Sequence, residues 1–119
     1  MSSPPSPRPA ARLRLVLSRE VALGPGKADI LEGIRETGSI AAAGRRLHMS
    51  YKRAWGLVEQ LNAAFAEPLV ETRRGGRAKG GAALTPAGAR VLDAYRRMEA
   101  ATDRAIGEEL ERLAREVKP

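Results

Sequence analysis

The stretch TGSIAAAGRRLHMSYKRAWGLVEQLN, residues 37–62, decides the fold. Ser39 and Ser50 each precede a helix-forming run, and a serine hydroxyl there accepts a hydrogen bond from an otherwise orphaned amide of the first turn. The first predicted helix covers residues 40–47, where Ala41, Ala42 and Ala43 let neighbouring backbones come close. His48 and Met49 form a tight connection. The second predicted helix runs from residue 51 to about 65, with Tyr51, Ala54, Val58, Leu61 and Phe65 recurring at spacings of three and four. Such spacing makes one buried stripe, with Lys52, Arg53, Gly56 and Gln60 on the opposite side. Two short helices joined by a few residues outline a helix-turn-helix, whose second helix can offer its first side chains to base edges in a major groove. An ordinary helical hairpin has the same outline. The cap at Ser50, the cations directly after it and a cationic loop downstream favour the helix-turn-helix.

Upstream, Ile30, Leu31 and Ile34 mark the inner face of a helix over about 27–37, closed by Gly38. Gly24, Pro25 and Gly26 break the chain before it. In RLRLVLS, residues 12–18, Leu13, Leu15 and Leu17 alternate with Arg12, Arg14 and Val16, the period of a half-buried strand. Residues 1–11 hold four prolines and no apolar run, so a disordered Pro/Ser-rich tail is expected there and not a signal peptide. Downstream, residues 69–72 are a short strand candidate, RRGGRAKGGA over 73–82 is a basic glycine-rich loop, and Ala83-Leu84 can return as the second strand of a hairpin, a wing.

Thr85-Pro86 is a strong helix start, with a capping hydroxyl followed by proline at the first helical position. From there Val91, Tyr95, Met98, Thr102, Ile106, Leu110, Leu113 and Val117 form a nearly heptad stripe, with Gly107 as its weak point. A helix of about 30 residues is about 45 Å long, more than a domain of this size can cover. Its distal half is expected to pair with a second copy of the chain; a frayed amphipathic tail is the plainer alternative. The expected organisation is a tail over 1–11, a winged helix-turn-helix domain over 12–85 and a long C-terminal dimerisation helix over 86–119. The fold class is α+β, mainly α.

Composition narrows the chemistry. The 119 residues contain no cysteine and one histidine, His48, which leaves no disulfide, no thiol nucleophile and no Cys/His metal cluster. His48 is then a turn residue or a phosphate donor. Carboxylate pairs such as Glu108-Glu109 fall on a solvated helix face, and no catalytic residue, metal site or cofactor is expected. The four aromatic residues are Tyr51, Trp55, Phe65 and Tyr95, so the core must be mostly aliphatic. The formal net charge is +7, and it is uneven: residues 1–98 carry 17 basic and 8 acidic groups, residues 99–119 carry 4 and 6. A basic body favours a polyanion as partner, nucleic acid first. No apolar run is long enough to span a membrane, and a cytoplasmic location is expected.

Residues 37–62, and SYKRAW at 50–55 above all, resemble the DNA-binding domain of the molybdate-responsive transcriptional regulators of the ModE family. EPLVETRRGGRAKGGAALTPAG, residues 67–88, is similar to the same family in its glycine-rich wing, its Leu-Thr-Pro and the long helix that follows. The resemblance covers roughly residues 12–115. The related LysR-type winged helix shares the broader pattern of Gly-Ser before the first helix of the pair, paired alanines, and Leu-Thr-x-Ala-Gly after the wing. The resemblance implies a bacterial regulator domain that dimerises through its flanking helices and binds palindromic operators, with separate C-terminal domains sensing molybdate. These 119 residues hold no counterpart of those domains, so direct molybdate binding is not expected.

The expected DNA-binding residues follow. Tyr51, Lys52, Arg53 and Trp55 would face the groove, and Ser50 would cap the helix and touch phosphate. Ser39, Arg45 and Arg46 would anchor the backbone, and the wing cations Arg73, Arg74, Arg77 and Lys79 would add affinity. Each has a plainer reading. The Tyr51 ring can pack at the core edge, Trp55 can cover the preceding helix, Lys52 and Arg53 can be a solvated face, and the wing a soluble loop. A nucleotide-phosphate cradle is disfavoured because GxxxxGK[ST] is missing. The expected dimerisation residues are Val91, Tyr95, Met98, Ile106, Leu110 and Leu113. The competing function is an architectural or adaptor protein that binds DNA without sequence preference and uses the long helix as its main interface.

Overall fold

Capping hydroxyls set the starts of three of the four described helices, and a glycine sets the end of the first. The computed structural model describes residues 9–73 and 81–119. A hairpin of β1 (Leu15–Val16) and β2 (Ala22–Leu23) comes first, then α1 (Pro25–Thr37), α2 (Ile40–Arg46) and α3 (Tyr51–Ala64). The wing strands β3 (Val70–Arg73) and β4 (Gly81–Leu84) follow, and α4 (Pro86–Ala114) ends the fold. This is a winged helix-turn-helix with a long C-terminal helix.

Gly38 ends α1 with φ 72°, its amide bonded to the Ile34 carbonyl at 2.8 Å; a left-handed residue here favours glycine. The start of α1 corrects the sequence reading. It begins at Pro25, not Lys27, because proline has no amide to leave unpaired and its fixed φ suits the first helical position. The strand expected over 12–18 is also shorter. Only Leu15 and Val16 pair, with Leu23 and Ala22, since the Leu17 and Ser18 amides already turn back to the Val21 carbonyl. Leu17 is therefore half-exposed and outside the core, while Leu13 and Leu15 pack against it. The helix α4 ends at Ala114 in a turn that carries Val117 out of the helical stripe.

The core is aliphatic: Ile30, Leu31 and Ile34 of α1 meet Ile40, Val58, Leu61, Leu69 and Leu92. Close helix approach depends on small residues. A Cβ at Gly33 would lie 2.8 Å from that of Ala43, which brings α1 and α2 together. The antiparallel wing pairs Val70 with Leu84 and Arg73 with Gly81, and the Ala82 amide bonds the Gly38 carbonyl at 2.9 Å. The wing is thus sewn to the start of α2. Asn62 on α3 holds its base: the side-chain oxygen accepts from the Leu69 and Val70 amides at 2.8 and 3.0 Å, and the amide nitrogen donates to the Val70 carbonyl at 3.0 Å.

Tyr95 is a further correction. Expected in the dimer stripe, it is wholly buried in its own chain, and its hydroxyl donates to the Leu13 carbonyl at 2.6 Å. Burial, and then the nearby Glu99 carboxylate, push its pKa up, which keeps the phenol a donor. Val91 likewise packs partly against the body, and Leu92, absent from the expected stripe, is fully buried.

Candidate nucleic-acid interface

The turn between α2 and α3 is built from backbone bonds. The Leu47 and Met49 amides reach the Gly44 carbonyl at 3.1 and 2.9 Å, and the His48 amide reaches that of Arg45 at 3.1 Å. His48 takes φ 57°, a left-handed conformation uncommon outside glycine and asparagine, so it is a turn residue. Gly44 lets α3 close in, since a Cβ there would lie 3.1 Å from that of Ala54. Both predicted caps are made: Ser39 Oγ accepts from the Ala42 amide and Ser50 Oγ from the Arg53 amide, each at 3.1 Å.

The cap at Ser50 fixes the first turn of α3. Tyr51 is 58% exposed, so it is not a core residue. Its ring meets that of Trp55 edge-on at 6.2 Å between centroids, and Trp55 packs against the core. Trp55 is thus a platform one helical turn below a solvent-facing phenol. Lys52 and Arg53 are exposed beside them, and the first turn of α3 carries no acid. Two cations there oppose the helix dipole by about 0.3–1 kcal/mol each, an unfavourable term that a bound anion relieves.

The remaining expected contacts divide. Arg45 is exposed and makes no ion pair among the described residues, and Arg73 is exposed at the end of β3. Arg46 instead pairs with Glu36 of α1, so its charge is largely compensated. Arg74, Arg77 and Lys79 lie outside the described residues. Ser39 is half-buried, with its hydroxyl used as a cap and its backbone bridged to Gly81.

Sequence reasoning missed Asn62 and Arg96. Asn62 sits inside a helix, where asparagine is a weak helix former, and that misfit was the only local signal. Arg96 is 27% exposed and is held by Asp29, Glu32 and Glu99. Burial by itself would lower its pKa, but the hydrogen bonds to Asp29, Glu99 and Glu32 outweigh that and raise it.

This arrangement, a capped and cation-rich start of α3 with a wing stitched to the start of α2, has known counterparts. Residues 27–89 match the bacterial regulatory helix-turn-helix proteins of the lysR family. The chain belongs to that family. The lysR-family domain is 45% identical over 87 residues to the molybdenum-pterin-binding protein MopB of Rhodobacter capsulatus, covering 72% of this chain and 32% of MopB. It is 37% identical over 103 residues to the molybdenum transport protein ModE of Azotobacter vinelandii, covering 87% and 38%. The chain therefore spans about a third of the length of these curated relatives. Among solved structures, the complex of the CbnR DNA-binding domain with DNA superposes with a TM-score of 0.58 at 28% identity, covering 75% of this chain and 95% of that one. Full-length LysG of Corynebacterium glutamicum with bound effector Arg also gives 0.58, at 25% identity, covering 78% and 30%. Among the described residues, no helix is long and apolar enough to cross a membrane.

Proposed function

We propose that the domain binds DNA sequence-specifically as a homodimer and acts in transcription regulation in the bacterial cytoplasm. The observation that carries this reading is the first turn of α3, where a serine cap orders Tyr51, Lys52 and Arg53 in solvent with no acid in that turn. Lys52 or Arg53 would donate to guanine O6 and N7, the commonest specific contact in a major groove. Tyr51, steadied by Trp55, would reach a base edge or a phosphate. Ser50, Arg45 and Arg73 would add phosphate contacts that position the helix, as would Ser39 and the wing cations Arg74, Arg77 and Lys79. Arg46 contributes less, because Glu36 already holds it.

Dimerisation would use the far half of α4. The face that packs on the body through Leu92 and Tyr95 continues outward through Met98, Ile106, Leu110 and Leu113. There Leu113 is 65% exposed, and no residue after Tyr95 is buried. Such a stripe is normally covered, and a second copy offers a matching one. The resulting two-fold symmetry calls for an inverted-repeat site.

Selection from a pool of random duplexes tests the reading. The expected product is an inverted repeat bound about 1,000-fold or more tighter than a scrambled duplex at the same salt. Equal binding to both duplexes would make the chain an architectural protein instead.

A further inference from the structure

Helices α1 and α4 meet along a line of charges. Asp29, Glu32 and Arg35 follow one another at three-residue intervals on α1 and so share a face. Across from them, Arg96 Nη2 donates to Asp29 at 2.9 Å and Nε to Glu32 at 3.2 Å, while Arg35 donates to Asp93 at 2.9 Å. Arg96 Nη1 donates to Glu99 of its own helix at 2.9 Å. All three nitrogens of one planar guanidinium are thereby spent on three different carboxylates. A rigid fork held at three points fixes an orientation, which a flexible ammonium cannot do. These groups are too exposed to add much stability, so the seam's consequence is geometric.

Its place on α4 gives it leverage. After Tyr95 no residue of α4 is buried, and among the described residues Arg96 makes the last ion pairs that clamp α4 to the body. From Arg96 to Ala114 the helix runs on for about 27 Å, and a tilt of about 10° at the clamp moves its end by about 5 Å. A DNA half-site rotates by about 34° for each base pair of spacing, so a loose clamp would let the paired bodies fit several spacings.

We infer that Arg96 is a positioning residue for half-site spacing: by fixing the direction in which α4 leaves the body, it sets the distance and rotation between the two recognition helices of the dimer. This rests on the dimeric DNA-binding reading above. The test uses the full chain and inverted repeats whose half-sites are moved by one or two base pairs. The unaltered protein is expected to prefer one spacing by about tenfold over its neighbours, the scale of one misplaced base pair. Arg96→Met is expected to reduce that ratio to about threefold or less, with affinity for a single half-site unchanged and the dimer intact by sedimentation. Arg96→Lys should fall between. The double variant Asp29→Asn, Glu32→Gln cuts the same bridges from the α1 side and should flatten the spacing profile alike, which separates a broken clamp from one damaged protein. The inference is overturned if both variants keep the original spacing ratio, or if they weaken the single half-site as much as the full site. An inverted repeat bound without any spacing preference would also overturn it while leaving sequence-specific binding in place; no sequence preference at all would overturn both.

Discussion

Gly88→Ala is expected to destabilise the protein by about 3 kcal/mol or more. Helix propensity alone predicts the opposite, because alanine is favoured over glycine inside a helix by about 1 kcal/mol. Packing decides against propensity here. A Cβ on Gly88 would lie 2.1 Å from the Leu69 carbonyl oxygen and 3.0 Å from its carbon. Those are backbone atoms that cannot swing aside. The Leu69 side chain is fully buried, its amide is held by Asn62, and its carbonyl already accepts from the Thr85 amide at 3.0 Å. Relief would have to push α4 away from the wing base and disturb the cap in which the Gly88 amide donates to Thr85 Oγ. For a domain of this size the melting temperature should fall by about 12 °C or more. Gly107→Ala is the internal control. Nothing lies within 4 Å of a Cβ there, so that variant should melt slightly higher than the parent protein. A Gly88→Ala protein as stable as the parent would mean that α4 does not approach Leu69 this closely.

The second large effect concerns assembly. Leu110→Glu combined with Leu113→Glu places two charges in the exposed stripe of α4 while leaving the core alone, since neither leucine is buried in the single chain. The double variant should sediment as a monomer at micromolar concentration. Linking two half-site contacts raises overall affinity by about 100-fold to 10,000-fold, so affinity for the selected inverted repeat should fall by at least about 100-fold. Affinity for one half-site should stay near the parent value, and the melting temperature should lose its dependence on protein concentration. A persistent dimer, or unchanged affinity for the repeat, would remove the distal half of α4 from the interface.

What the sequence makes legible in this protein is what is local. Ser39, Ser50 and Thr85 each bond an amide within three residues, and Gly38 closes a helix by its own backbone angle; such choices are written in neighbouring residues. The stripe of α3 is readable for the same reason in Ala54, Val58 and Leu61, whereas Tyr51 at its start stays exposed, its ring edge-on to Trp55. Long-range partners are not readable. The hydroxyl of Tyr95 finds the Leu13 carbonyl 82 residues away, and Arg96 finds Asp29 from 67 residues away. Periodicity puts Tyr95 on the correct face of α4 but cannot say whether that face meets its own body or a second copy. The second strand of the N-terminal hairpin is only two residues long, too short for any alternation to show.

Base readout needs fixed geometry and phosphate attraction does not, so on the proposed reading the cations of α3 are expected to discriminate between sites and those of the wing to add affinity. Binding isotherms on the selected inverted repeat and on a scrambled duplex, across a salt series, test that division. Lys52→Ala should reduce discrimination between the two duplexes by about 1–3 kcal/mol if Lys52 reads guanine. Arg77→Ala with Lys79→Ala should weaken both duplexes alike and flatten the salt dependence by about 0.9 in logarithmic slope for each phosphate no longer neutralised. A Lys52→Ala protein that keeps its discrimination, with the wing variant losing it, would contradict the assignment of α3 as the helix that reads the sequence.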